Sequence, residues 1–170
     1  NPKHIDTHNN LGVVFCSLGQ YEKSIQHYKQ IIKQKPNHKN AINGLGKVFC
    51  LLGKYQEALD YHLKALEIDP NFVDAHYCLG TTLGLMKSNN QKAISSYEKV
   101  IELDPNHAGA HYNLGVFFQG MANYPKAIKY YKKTTELDPK HSNAHNNLAT
   151  LFREIGEYEK SFATYQQSLV

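Results

Sequence analysis

Histidine is the residue in this 170-residue sequence whose number and spacing most suggest chemistry, with ten copies. Three pairs lie four residues apart: His4 and His8, His107 and His111, and His141 and His145. On a helix this spacing places two imidazoles on one face, where they can bind a transition metal. A zinc site needs three or four protein ligands, and neither His4 nor His107 has a third candidate nearby. We therefore predict no metal site.

The three cysteines, Cys16, Cys50 and Cys78, contain no Cys-x-x-Cys pair and are too few for a disulfide framework. They predict free thiols in a reducing compartment, here the cytoplasm. The sequence also has no glycine-rich phosphate loop, no nucleophile elbow and no His-Glu-x-x-His motif. We therefore expect no enzyme, no catalytic residue and no cofactor.

The formal net charge is +4, with basic and acidic residues interleaved along the chain. A nucleic-acid partner would need a basic block or stripe, which the sequence lacks. No apolar run reaches the length of a membrane span. These observations exclude nucleic acid and membrane from the expected partners.

A repeated Leu-Gly pair shows how the chain is organised. It occurs as Leu11-Gly12, Leu45-Gly46, Leu79-Gly80, Leu114-Gly115 and, in its last copy, Leu148-Ala149. The successive intervals are 34, 34, 35 and 34 residues. A fixed period of this length indicates a stack of similar supersecondary units. We number each unit so that the leucine is position 7.

Other positions of the unit have equally regular residue types. Position 20 is always small: Ser24, Ala58, Ala93, Ala127 and Ser161. Small residues at positions 8 and 20 predict two helices in close contact, because a large side chain there would overpack the contact. The aromatic residues at positions 11 and 24 are expected to fill the space between units. Proline at position 32 ends the second helix.

The pattern predicts two helices in each unit and no strand. The first helices are expected at residues 5–18, 39–52, 73–86, 108–121 and 142–155. The second helices are expected at residues 21–34, 55–68, 90–103, 124–137 and 158–169. A glycine in the turn, as in Leu52-Gly53-Lys54-Tyr55, stops the first helix. The third unit lacks this glycine, so we expect a longer polar turn at residues 85–90.

The segments Ala110–Gly115 and Tyr124–Tyr131 resemble the tetratricopeptide repeat family, and the similarity extends over the whole chain. The resemblance implies an all-α, right-handed superhelical solenoid of about five repeats and about ten antiparallel helices. It implies one array over residues 1–170, with repeats at 5–38, 39–72, 73–107, 108–141 and 142–170. The last repeat is truncated, so we expect the array to be part of a longer one.

The resemblance also implies that the first helices line a concave groove through positions 2, 5, 6, 9, 12 and 13. These positions hold twelve candidate binding residues: Asn9, Asn10, Asn40, Asn43, Lys47, Tyr77, Tyr112, Asn113, Asn143, Asn146, Asn147 and Arg153. Asparagine dominates, and an amide offers the donor and the acceptor that a peptide backbone requires. Few groove positions are charged, which disfavours acidic or phosphorylated ligands.

The function that the sequence favours is a protein-interaction scaffold holding an extended peptide or a helix of another protein. Position 5 is never lysine, so the clamp for acidic chaperone tails is absent. Asn10, Asn113 and Asn147 make the groove loosely similar to the repeats of O-linked N-acetylglucosamine transferases, although Gly44 and Cys78 interrupt the row. One alternative is therefore a substrate-recruiting part of a larger enzyme. Another is self-association through uncapped end repeats, giving a homo-oligomer.

Overall fold

The computed structural model describes residues 2–87 and 90–167, and within them it contains ten α-helices and no strand. The helices are α1 (Pro2–Ser17), α2 (Tyr21–Gln34), α3 (Lys39–Leu51), α4 (Tyr55–Ile68), α5 (Val73–Met86), α6 (Asn90–Leu103), α7 (Ala108–Gly120), α8 (Tyr124–Leu137), α9 (Ser142–Glu154) and α10 (Tyr158–Gln167). They follow one another as helix-turn-helix pairs. The predicted all-α repeat fold is confirmed.

The helix bounds agree closely with those predicted from the repeat. Every second helix begins at its predicted residue, and four of the five first helices end one residue early. The largest difference is α1, which begins at Pro2 and not at residue 5. The first N–H groups of a helix have no partner within the helix, so proline is tolerated in the first turn.

Residue contacts divide the chain into two compact units. Unit 1 comprises Asn1–Ser96 and contains α1 to α5 with the first half of α6. Unit 2 comprises Tyr97–Val170 and contains the second half of α6 with α7 to α10.

In three of the helix pairs, a ring on the second helix covers a glycine of the first helix. The ring of Tyr131 in α8 lies over Gly115 in α7, where an added Cβ atom would be 2.6 Å from the ring. Tyr28 covers Gly12 and His62 covers Gly46 in the same way. At the small position 20, the Ser24 hydroxyl donates a 2.7 Å hydrogen bond to the Gly12 carbonyl oxygen. Positions 8 and 20 therefore bring the two helices together, as expected.

The aromatic residue at position 11, predicted to fill the space between units, has an additional role in three repeats. It stacks within its own helix pair, on the ring at position 23 of the second helix. The stacked pairs are Phe15 with His27, Phe49 with Tyr61, and Phe118 with Tyr130, at ring-centroid distances of 5.3, 5.3 and 5.5 Å. Their interplanar angles are 9°, 2° and 1°. These three nearly parallel ring stacks stabilise the contact between the two helices of their pairs.

The turns between paired helices use a left-handed residue. Gly19, Gly53 and Gly156 have φ values of 70°, 74° and 82°. In the fourth pair this position is Ala122, which has a φ of 55°. In the third pair, Lys87 ends α5 with a φ of 53°. Of the longer polar turn expected at residues 85–90, residues 85 and 86 belong to α5 and residue 90 begins α6, whereas residues 88 and 89 lie outside the described residues.

Histidines stabilise the boundaries between pairs. His38, His107 and His141 are the N-caps of α3, α7 and α9. Their Nδ1 atoms accept hydrogen bonds from the backbone N–H groups of Ala41, Ala110 and Ala144, at 3.2, 3.1 and 3.2 Å. Each bond satisfies an N–H group that the start of a helix otherwise leaves unpaired.

A second set of histidines closes the preceding turn. The Nε2–H groups of His76, His111 and His145 donate to the carbonyl oxygens of Pro70, Pro105 and Pro139, at 2.9, 3.0 and 3.0 Å. The two i, i+4 pairs formed by residues 107, 111, 141 and 145 are thus engaged with backbone atoms at the boundaries.

Candidate functional site

A cavity of about 470 Å³ opens on the first helices of unit 1, α1, α3 and α5. Five of the twelve predicted binding residues line it: Asn9, Asn40, Asn43, Lys47 and Tyr77. Asn10 lies exposed on α1 and does not line this cavity. The volume falls within the range of about 300 to 1,000 Å³ typical of ligand pockets.

Aliphatic side chains form much of the cavity wall. Val13, Leu51 and Leu85 come from three different helices, and they are 51%, 53% and 51% exposed. Clustered, exposed apolar groups of this kind mark an interaction surface more often than a random part of the surface. They occupy repeat positions 9 and 13, which the family resemblance assigns to the groove. The sequence therefore contains these apolar groove residues, although asparagines are the more frequent residue type at the groove positions.

Asn43 is a structural part of the wall. Its side chain is buried, and its Oδ1 accepts a 2.7 Å hydrogen bond from Nδ1 of His62. Its Nδ2 lies 3.9 Å from the Sγ of Cys78. The amide predicted to contact a peptide is therefore already used within the protein. Burial lowers the pKa of His62 to about 4, so this imidazole is neutral at physiological pH.

The electrostatic character of the cavity is mixed. Lys47 and Asp74, one of each charge, line it from exposed positions. Burial raises the pKa of Cys78 to about 11, and the Lys47 ammonium acts in the opposite direction. The thiol is therefore uncharged at neutral pH. The arrangement suits a ligand that is mainly apolar and has few polar groups.

Two predicted residues of unit 2, Asn147 and Tyr112, belong to a hydrogen-bond network with two residues that were not predicted, Tyr131 and Gln119. The Nδ2 of Asn147 in α9 donates to the hydroxyl oxygens of Tyr112 and Tyr131, at 3.4 and 3.2 Å. The Tyr131 hydroxyl donates in turn to Oε1 of Gln119, at 2.7 Å. Burial raises the pKa of Tyr131 to about 12, which keeps this donor protonated. The network joins α7, α8 and α9.

The remaining predicted residues of unit 2 lie on the same two first helices. Asn143, Asn146 and Arg153 are exposed on α9, and Asn113 is half-buried on α7. Exposed amides on α9 offer donors and acceptors to solvent or to a ligand.

The described residues contain no group of three or more His, Cys, Asp or Glu side chains placed to hold a metal ion. None of the described helices combines the length and the apolar character needed to cross a membrane.

Family models identify the repeat. Models described as tetratricopeptide repeat match residues 3–71 and 106–169, and residues 63–95. A model described as TPR repeat matches residues 86–121. The chain therefore belongs to the tetratricopeptide repeat family. The fold supports a protein-interaction scaffold, and members of the family are typically not enzymes.

Solved structures share this fold, although no curated protein matches the chain. A MamA crystal structure is 26% identical, with a TM-score of 0.79 over 94% of this chain and 92% of that one. PilF of Pseudomonas aeruginosa is 20% identical, with a TM-score of 0.92 over 99% of this chain and 76% of that one. YrrB, described as a TPR protein with an unusual peptide-binding site, is 23% identical, with a TM-score of 0.71 over 95% and 83%.

Proposed function

We propose that this chain binds a segment of another protein, an extended peptide or a helix, on the first helices of its pairs. The binding surfaces are α1, α3 and α5 in unit 1 and α7 and α9 in unit 2. The observation that carries the proposal is the cavity in unit 1, where three helices each leave an aliphatic side chain half exposed. Covering these side chains removes apolar area from water and favours binding.

The exposed asparagines complement this apolar surface. Asn40 lies at the rim of the cavity, and Asn143 and Asn146 are exposed on α9. A peptide backbone has one donor and one acceptor per residue, and a primary amide can satisfy both. A segment bound to unit 1 would gain affinity from the cavity and from the Asn40 amide, and a segment bound to unit 2 would gain backbone hydrogen bonds from the amides on α9.

Paired variants test the proposal. Leu51→Ser with Asn40→Ala changes the cavity, whereas Leu63→Ser with Lys64→Ala changes an exposed part of the second helix α4. A partner captured with the wild-type chain is identified, purified and titrated against both double variants. We expect the cavity variant to bind about tenfold more weakly or worse, and the α4 variant within about twofold of wild type. The proposal would be contradicted if the α4 variant lost affinity and the cavity variant bound like the wild type.

Self-association of two copies of this chain is a second candidate function. Light scattering over a range of concentrations tests it, because a mass that stays monomeric would rule it out.

Two sequence predictions complete the proposal. A role as the substrate-recruiting part of a larger enzyme is compatible with the scaffold function. We also propose a cytoplasmic location, since the three cysteines are free thiols.

A further inference from the structure

We infer that the cavity of unit 1 receives one tryptophan side chain of the bound protein segment. This inference rests on the proposed function and adds to it the chemistry of the anchoring residue. Four features of the cavity favour an indole ring: its shape, its walls, its unpaired cation and its unpartnered hydrogen-bond acceptors.

The shape of the cavity follows from three residue differences between repeats. In unit 2, the Tyr131 hydroxyl lies between Gln119 and Asn147. The repeat positions of those three residues hold His62, Cys50 and Cys78 in unit 1. An imidazole is shorter than a phenol and has no hydroxyl group, and all three residues line the cavity. The space that a tyrosine would fill is therefore open to a side chain from outside.

The walls suit a large flat ring. Val13, Leu51 and Leu85 enclose the cavity from three helices. Aromatic side chains bury about 150 to 250 Å² each and dominate the energetics of many interfaces. Tryptophan is also among the residues most enriched at the energetic centres of interfaces.

Lys47 supplies an unpaired cation at the cavity. It is exposed, it lines the cavity, and no described carboxylate forms an ion pair with it. An ammonium group is attracted to the face of an aromatic ring, most strongly to that of tryptophan. Asp74 also lines the cavity, so its two charges together set no preference for or against a basic anchor.

Two polar atoms of cavity-lining residues have no hydrogen-bond donor within residues 2–87 and 90–167. These are Oδ1 of Asn9 and Nε2 of His62, both shielded from solvent. Nδ1 of His62 donates to Asn43, so in the neutral ring Nε2 is an acceptor. The indole N–H is a donor that cannot accept, and phenylalanine has no polar group to offer. A buried acceptor without a partner costs free energy, which an incoming donor would recover.

The sequence makes the test direct, because the chain contains no tryptophan. Indole fluorescence then comes only from the ligand. The probe is the capped peptide Gly-Ser-Trp-Ser-Gly, titrated against the full chain. A second peptide replaces tryptophan by benzothienylalanine, which has the same shape but no N–H group, and a third replaces it by leucine. The two non-indole peptides are measured by competition.

We expect the tryptophan peptide to bind with a blue shift of its emission. The benzothienyl peptide should bind about 2- to 10-fold more weakly, the effect of one net hydrogen bond. Leu51→Ser should weaken tryptophan binding about tenfold. The control is Leu63→Ser on the second helix α4, which changes an exposed leucine that does not line the cavity and should leave binding unchanged.

Other outcomes overturn the inference. It fails if the tryptophan peptide does not bind, if the leucine peptide binds equally well, or if Leu51→Ser has no effect. In each case the proposed function still stands if the Leu51→Ser and Asn40→Ala double variant loses the captured partner. If that variant also keeps its partner, both proposals fail.

Discussion

The imidazole of His62 and the amide of Asn43 are joined by a buried hydrogen bond, in which Nδ1 donates to Oδ1 over 2.7 Å. His62 occupies the repeat position at which Tyr28, Tyr97 and Tyr131 stand in other repeats. The second ring nitrogen has no partner among the described residues. A proton on that nitrogen would therefore be buried and unsatisfied.

This arrangement predicts a loss of stability in acid. Burial lowers the pKa of His62 from 6.5 to about 4. Between these values the unfolded chain binds a proton that the folded chain does not, so the free energy of unfolding falls as the pH is lowered. The free energy of unfolding should fall by about 3 kcal/mol at most by pH ~4, and it should not change above pH ~6.5.

Urea denaturation across this pH range, on the wild type and on His62→Tyr, measures the effect. The variant should show a shallower pH dependence than the wild type. His4→Gln, which changes an exposed histidine of α1, is the control and should follow the wild type. Equal pH dependence in all three proteins would contradict the prediction.

Gly115→Ala should destabilise the chain by about 1 to 3 kcal/mol, because an added methyl group overpacks a filled contact. Its Cβ atom would lie 2.6 Å from two carbon atoms of the Tyr131 ring, and that ring is fully buried. Gly120→Ala in the same helix is the matched control, because its Cβ atom would meet nothing within 4 Å. Thermal and urea denaturation of the two variants should differ clearly; similar midpoints would show that the ring can move aside.

Ala122→Gly should stabilise the chain by about 0.5 to 1 kcal/mol, because a left-handed φ is unfavourable for a residue with a Cβ atom. Ala122 has a φ of 55° at the turn position that is glycine in three other repeats. The reciprocal change, Gly53→Ala at a φ of 74°, should lower stability. Denaturation midpoints check both, and a destabilised Ala122→Gly protein would show that side-chain contacts outweigh the backbone term.

Cys78 should react slowly with a disulfide reagent. Burial raises its pKa from 9.0 to about 11, so at pH ~8 its thiolate fraction is about 100-fold below that of an ordinary thiol. The higher nucleophilicity of such a thiolate offsets part of this, which leaves the rate about 10-fold lower or more. A Cys16→Ser and Cys50→Ser double variant isolates this thiol. Its rate in the folded chain should rise steeply on adding urea; a rate unaffected by urea would contradict the burial.

The helices were predictable because their signals are local. The spacing of the Leu-Gly pairs, the small residue at position 20 and the proline at position 32 act within one repeat. They predict most helix ends to within a residue. The family resemblance, which rests on the same motifs, identified the correct fold for the same reason.

The site was less predictable because it depends on side chains from several helices. The cavity exists where Leu51, Leu85 and Val13 converge and where His62 stands in place of a tyrosine. No single repeat contains that information. Asn43 illustrates the difference, since its position suggested a peptide contact while its hydrogen bond to His62 holds it within the wall.

The histidine N-cap of α3 has a consequence for how the chain would respond to acid. An imidazolium has no lone pair, so a protonated His38 cannot accept the hydrogen bond that starts α3. The added positive charge also opposes the helix dipole at that end. Acid would thus loosen the joint between the first and second helix pairs, in addition to the loss that protonation of His62 causes inside the second pair.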